Sequence, residues 1–186
     1  MGLAGGGGLS EQAVGEQRWV HQIGSVPLDE AALVEPLSAG HHGVARSGAK
    51  AGDVAVIGGA RPIDLLTAAI LQPIGATTIG SEVSAARKDK AGWSVVADPV
   101  LDPTTDDMVA RVLQITNGIG ADAAFECARI DAVLDMLLNT LRPAGVLVNV
   151  CVWGHPATIA PDDLVTQGFD TLIHHDDTAA RILVHP

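Results

Sequence analysis

From Val54 the chain reads V-A-V-I-G-G-A-R-P-I-D-L-L, continues with helical apolar spacing, and closes a second apolar run on Glu82. A β-branched run, a glycine turn, a helix and a second strand ending in a carboxylate form the opening of a dinucleotide-binding βαβ unit. This feature constrains the fold strongly. Two strands joined through a helix lie parallel, and a parallel sheet has to be covered on both faces. The glycine fingerprint itself is damaged. A G-x-G-x-x-G turn uses its first glycine for the tight bend, its second to let backbone approach a pyrophosphate, and its third for close packing of helix on strand. Gly59 holds the first place, whereas Arg61 and Asp64 stand in the other two.

The rhythm set by this segment continues. Apolar patterning predicts strands at 54–57, 77–81, 100–101, 123–127 and 146–152, and helices at 63–71, 84–91, 105–115 and 132–141. Pro73 is expected to end the first of these helices, and Pro143-Ala144-Gly145 to separate the last helix from the last strand. Upstream, residues 29–44 have helical spacing, with Ala32, Leu33, Leu37 and Val44 as expected buried positions and Pro36 as a bend or restart. Alternation at this spacing specifies an α/β fold, a doubly wound parallel sheet of the Rossmann kind. Beyond it, residues 162–165 begin like a helix that Gly168 cuts short, and 180–184 read as a strand with no full crossover before it. An element that should connect these two is missing.

Composition narrows the class further. At 186 residues with 47% apolar side chains, the chain suits one globular domain of ordinary size; only 3% are aromatic and none is tyrosine, so the core is aliphatic. Eleven basic against 22 acidic residues give a net charge of -11, which disfavours nucleic acid and anionic membranes as partners. No apolar stretch approaches the roughly 20 residues of a membrane span, and the start lacks the order of a signal peptide, so the expected location is cytoplasmic. Cys127 and Cys151 lack CxxC spacing and read as buried free thiols. The pairs His41-His42 and His174-His175 are adjacent, and adjacent side chains do not converge on one ion. No G-x-S-x-G elbow supports a serine nucleophile.

In a doubly wound sheet the ligand lies beyond the carboxyl ends of the strands. The turn from Gly58 to Pro62, Glu82, Cys127 and Val150 are therefore expected around one crevice. A carboxylate at Glu82 suits ribose hydroxyls and repels a 2′-phosphate, which selects NAD over NADP; its other reading is a solvated strand end. Asp64 opposes that binding. Two unit charges about 5 Å apart cost on the order of 3 kcal/mol at an effective dielectric near 20, roughly a hundredfold in affinity. An Arg61 to Asp64 pair at i, i+3 spacing would offset part of this cost. NAD binding is expected to be weak or lost.

Several separated segments carry a family resemblance. G-L-A-G-G-G-G-L-S-E from Gly2, L-V-E-P-L-S-A-G-H-H from Leu33, F-E-C-A from Phe125, N-V-C-V-W-G-H-P from Asn149 and G-F-D-T-L-I-H-H from Gly168 follow one another in order. With Ile182-Leu-Val-His185, they resemble the zinc-dependent medium-chain dehydrogenase/reductase family, in its (R,R)-butanediol and sorbitol dehydrogenase branch. The resemblance implies a remnant of a GroES-like catalytic domain at 1–28, an NAD-binding domain at 29–160 and a segment at 161–186 returning to the catalytic side. It implies hydride transfer from a secondary alcohol or vicinal diol to NAD. Glu35 matches a catalytic glutamate that coordinates zinc or its water; Gly59, Pro62, Ile63, Glu82 and Arg87 match cofactor positions, as do Val150 and Val152 near the nicotinamide. Arg87 also reads as a solvated helix residue, and Arg129 departs from a family glycine.

The family's zinc-binding cysteine, G-H-E histidine and four-cysteine lobe find no counterpart in the sequence. One carboxylate does not hold a catalytic zinc that takes three protein ligands, so zinc is not expected here. A strand and helices of the family are absent between the regions matching Val165 and Gly168; the strand is one the family uses in pairing subunits, and the apolar surface this leaves favours self-association. The expectation is an impaired dehydrogenase-like chain. Its rival is a non-catalytic remnant or interaction module that keeps the sheet without the cofactor.

Overall fold

The computed structural model describes residues 11–94, 97–154 and 156. The chain divides into two compact units, Met1–Val34 and Glu35–Pro186. In the first, the described residues form a 3-10 turn, Gln17–Trp19, and a short helix, α1, Leu28–Ala31. The second unit holds the sheet.

Helix α2 spans Val34–Ser47, then β1 Val54–Gly58, α3 Pro62–Ile74, β2 Thr77–Ser81, α4 Ala85–Ser94 and β3 Val100–Leu101. They are followed by α5 Met108–Ile115, β4 Ala121–Glu126, α6 Asp131–Thr140 and β5 Leu141–Asn149. The five strands stand in the order β3-β2-β1-β4-β5. Every pairing is parallel. This is the doubly wound sheet that the alternation predicts, with its switch point between β1 and β4.

Side chains on successive strand residues divide the core in two. Val56, Ile79 and Ala124 face a cluster with Met108, Val112, Leu134 and Leu137, whereas Ala55, Ile57 and Phe125 face one with Val44, Ala68 and Leu71. Phe125 is fully buried. A side chain of that kind contributes about 1.5–3 kcal/mol on burial. Strand β1 lies between β2 and β4, and its first amide, Val54 N–H, donates to Asp122 Oδ2 at 2.9 Å.

The structure corrects several boundaries. Pro73 does not end α3; it sits in the last turn, and the helix stops at Gly75, whose φ of +87° turns the chain away while its N–H donates to Leu71 and Gln72 carbonyls. Strand β5 starts at Leu141, directly after α6, because Leu141 pairs with Ala121 and the expected break at Pro143-Ala144-Gly145 is absorbed as a register irregularity between Ala121 and Ala123. Pro36 restarts the upstream helix instead of bending it, since the first turn of a helix needs no N–H from it. Of the four positions expected to be buried there, Val44 is, whereas Ala32, Leu33 and Leu37 are exposed. The buried face of α2 is built on glycines instead. A Cβ on Gly40 would lie 2.9 Å from Thr67 Oγ1 of α3, and one on Gly43 would lie 3.2 Å from Val150 Cγ2.

Helix α5 starts at Met108, with Asp107 Oδ1 accepting from Ala110 N–H at 3.0 Å, so the acids before it serve as cap and turn. The expected elements at 162–165 and 180–184, and the gap between Val165 and Gly168, lie outside the described residues. Among the described residues no helix is long and apolar enough to cross a membrane.

Candidate functional site

The carboxyl end of β1 delivers Gly58 and Gly59 to the N-terminus of α3. Gly58 is squeezed against α6, where a Cβ would come within 2.6 Å of Val133 Cγ1. Gly59 has φ of +138°, a conformation that side-chain-bearing residues rarely adopt, and a Cβ there would lie 2.2 Å from Asp64 Oδ2. Asp64 therefore folds back over the glycine turn. Its Oδ2 accepts the Arg61 N–H at 2.7 Å and stands 3.8 Å from Arg61 Nε. An arginine side chain carries no acceptor, so only this half of a capping box forms.

Asp64 is 1% exposed, and its Oδ1 is buried with no hydrogen-bond partner. Burial pushes its carboxyl above the ordinary aspartate value, against the amide and guanidinium of Arg61. The Cys127 thiol faces this carboxyl without completing a hydrogen bond of good geometry, and burial together with Asp64 pushes the thiol well above its usual range. The Arg61 guanidinium reaches across the turn, where Nη2 donates to the Cys127 carbonyl.

Glu82 lies just beyond β2 and is buried. Its Oε2 accepts from Ala60 N–H at 3.1 Å, and its Oε1 from Ser84 N–H at 2.7 Å. Arg87 adds a two-pronged pair, Nε to Oε2 and Nη2 to Oε1, each at 2.7 Å. Burial works against ionisation of Glu82, yet Arg87 and the two amides hold its carboxyl below the ordinary glutamate value. Four donors fill the acceptor capacity of one carboxylate. The helix register explains the geometry, since Arg87 sits near the start of α4, one turn beyond the strand end. The next basic residue, Lys88, points elsewhere and donates to Asp102 Oδ2 at 2.6 Å, which holds Asp102 down to about 2.

Gly59, Arg61, Glu82 and Arg87 line one cleft of about 130 Å³. Its apolar walls include Val83, Ile130 and Val133, and the first two are 55% and 52% exposed, facing solvent as open jaws. The volume is below the roughly 300–1,000 Å³ of pockets that enclose a drug-sized ligand. It suits a single ring system with a polar substituent.

The other sequence-derived positions stand apart from this cleft. Pro62 is exposed at the first position of α3, and Ile63 packs into the core beneath it. Val150, just past β5, donates its N–H to the Glu126 carbonyl at 2.9 Å and packs against α2; Val152 is 81% exposed. Glu35 is exposed in the first turn of α2, where its carbonyl accepts from Ser38 Oγ at 2.6 Å. No three His, Cys, Asp or Glu side chains among the described residues converge into a group that could hold a metal ion. Among the described residues, the donors brought together fall short of the three protein ligands that a catalytic zinc takes.

Sequence reasoning passed over Glu126. It ends β4 fully buried, with Oε1 accepting from Ala128 N–H at 2.8 Å and Arg129 N–H at 2.7 Å, and Oε2 accepting from Cys151 Sγ at 2.7 Å. Burial and this carboxylate push the Cys151 thiol up to about 12. Both cysteines are free thiols; Cys127 is buried, but Cys151 only half so. The sequence does signal that an acid at the end of a buried strand has to find donors, though not which donors it finds.

A parallel sheet in this order, with a glycine turn after β1 and a carboxylate after β2 meeting at its carboxyl edge, defines the doubly wound, Rossmann-like class of α/β protein. The chain belongs to the zinc-binding dehydrogenase family, whose model matches residues 62–172, more than half of the chain. It is 44% identical over 232 residues to an (R,R)-butanediol dehydrogenase of Neisseria gonorrhoeae, an alignment covering 100% of this chain and 66% of the relative. An (R,R)-butanediol dehydrogenase of Bacillus subtilis is 37% identical over 172 residues, covering 90% of this chain and 49% of that relative. The crystal structure of 2R,3R-butanediol dehydrogenase from Bacillus subtilis superposes with a TM-score of 0.69 at 36% identity, over 76% of this chain and 41% of that one. The chain thus spans between about half and two thirds of these two curated relatives. The 232-residue alignment also exceeds the 186 residues of this chain, so the Neisseria relative carries residues with no counterpart here.

Proposed function

We propose that this chain is the NAD-binding part of a zinc-type dehydrogenase of secondary alcohols or vicinal diols, with its hydride transfer impaired. The carrying observation is Glu82. It is held against the Gly59 turn through Ala60 N–H, at the place where a doubly wound sheet receives a ribose. In this reading Val83 and Ile130 flank an adenine, and Glu82 accepts from the ribose diol as Arg87 yields one of its two hydrogen bonds. Val150 and Val152, past β5, belong to the nicotinamide side, with Pro62 and Ile63 setting the start of α3. Residues 1–28 and 161–186 correspond to catalytic-domain segments, and 29–160 to the cofactor domain. Bound beside Glu82, a nicotinamide cofactor would supply the hydride acceptor, whereas the described residues offer no ligand set for the zinc that the family uses to polarise an alcohol.

Two features support the impairment. Glu35 alone is too small a ligand set for zinc, and the pyrophosphate end of the cofactor does not fit the turn. Asp64 takes the Arg61 amide, and Glu82 takes the Ala60 amide, so neither donor is left for a phosphate. The same two contacts favour a second reading, in which the chain is a non-catalytic interaction module that keeps the sheet alone.

Ligand-observed NMR with NAD and NADP at millimolar concentration tests the proposal. NAD adenine signals are expected to broaden and NADP signals to stay sharp, with Glu82→Gln removing the difference. Equal broadening by both, or none by either, would refute it. Incubation with 2,3-butanediol and NAD is expected to yield no NADH above a protein-free control, and clear NADH formation would overturn the impairment.

A further inference from the structure

Glu126 ends β4 with no exposed surface, and its two carboxyl oxygens serve two different segments. Oε1 accepts from the amides of Ala128 and Arg129, at 2.8 and 2.7 Å, and so fixes the turn between β4 and α6. This turn is strained. Arg129 has φ of +61°, a left-handed conformation that side-chain-bearing residues avoid, and Ala128 and Ile130 on either side of it line the cleft. Oε2 accepts from the thiol of Cys151, two residues beyond the end of β5, at 2.7 Å. Among the described residues this thiol is the one donor to that oxygen.

The segment after β5 is tied down at the same place. Asn149 stands in register with Glu126, and its Oδ1 accepts from Cys151 N–H at 3.2 Å and from Trp153 Nε1–H at 3.3 Å. Cys151 is half-buried, yet burial and the neighbouring carboxylate push its thiol up to about 12, so the proton stays on sulfur at neutral pH. A buried carboxylate oxygen loses more when its donor is removed than the hydrogen bond contributes when made. We infer that Glu126 and Cys151 form a latch, in which the thiol donor keeps Glu126 in place, Glu126 holds the strained 128–130 turn, and loss of the donor loosens the cleft wall. Cys151 thus acts as a hydrogen-bond donor that positions a binding surface, not as a nucleophile. The latch carries the state of the segment after β5 to the cleft, whatever ligand the cleft receives.

Amide hydrogen exchange on the full chain tests the latch. Cys151→Ala is expected to speed exchange at Ala128 and Arg129 by about tenfold or more, while Val56 and Ile57 in β1 keep their native rates. Cys151→Ser keeps an O–H donor and is expected to stay within about threefold of the native rates. Native rates in Cys151→Ala, equal acceleration by both substitutions, or an acceleration shared by Val56 and Ile57 would each overturn the inference. Alkylation of the native chain by iodoacetamide, located by peptide mass mapping, needs no substitution. Sulfur displaces iodide, a C–S bond forms, and the thiol proton passes to solvent. At pH 8, Cys151 is expected to react at least about a hundredfold more slowly in the native chain than in the urea-unfolded chain. A smaller difference would overturn the inference as well.

Discussion

Replacing Gly59 by alanine tests whether Asp64 truly lies over the glycine turn. The substitution has two separable costs. At φ of +138° any side chain strains the backbone, at about 1–3 kcal/mol. The new methyl would also stand 2.2 Å from Asp64 Oδ2, far inside van der Waals contact, so the carboxyl must swing away and release the Arg61 amide. Loss of such a cap costs about 1 kcal/mol. Gly59→Ala should therefore destabilise the chain by about 2–4 kcal/mol. In an Asp64→Ala background the cap is already gone and nothing remains to collide with, so the same change should cost only the strain. A urea-unfolding double-mutant cycle should give a coupling of about 1 kcal/mol, above the 0.3–0.5 kcal/mol or so within which independent sites add. Additive costs would mean that Asp64 does not occupy the turn.

Three further outcomes follow from the same geometry. Gly40→Ala should destabilise by about 1–3 kcal/mol, because its methyl meets Thr67 at 2.9 Å, whereas Gly92→Ala in α4, with nothing within 4 Å, should stabilise by about 0.5–1 kcal/mol; thermal unfolding reads both signs. Glu82→Gln should cost about 1.5–3 kcal/mol near neutral pH. Because the folded-state carboxyl of Glu82 sits below its ordinary value of 4.5, that stability is present above this value and disappears as pH falls through the lower folded value, so native and Gln chains should converge in acid unfolding titrations. Asp64 has the opposite sign. Its raised folded value means that acidification neutralises the anion over the turn, so NAD affinity should increase as pH falls through that value, at a pH above that of an ordinary aspartate, and Asp64→Ala should flatten that dependence.

The sheet was legible because the β-branched runs and their punctuation act locally, and parallel pairing follows from the intervening helices. Boundaries were less so. Pro73 reads as a stop, yet Gly75 supplies the left-handed residue that terminates the helix, and a proline in the last turn is tolerated. Leu33 and Leu37 read as a buried stripe, but α2 approaches its neighbours through Gly40 and Gly43, where the absence of a side chain is the signal. At the site, Arg61 and Asp64 were recognisable as departures from the fingerprint, and their pairing at i, i+3 spacing is realised at 3.8 Å. The consumption of Ala60 and Arg61 amides was not readable, because it depends on where two side chains from β2 and α3 meet in space. Glu126 was overlooked for a related reason. Its donors, Ala128, Arg129 and Cys151, come from a strand-end turn and from the segment after β5.

On the proposed function, the cleft beside Glu82 receives a nucleotide whose phosphate end is opposed by Asp64. Calorimetric titration of NAD into the native chain and into Arg61→Gly/Asp64→Gly measures this directly. The native chain should bind at about millimolar Kd or more weakly, and the double variant should bind roughly a hundredfold more tightly. A native Kd at or below about 10 μM, unchanged by the double substitution, would contradict the claim.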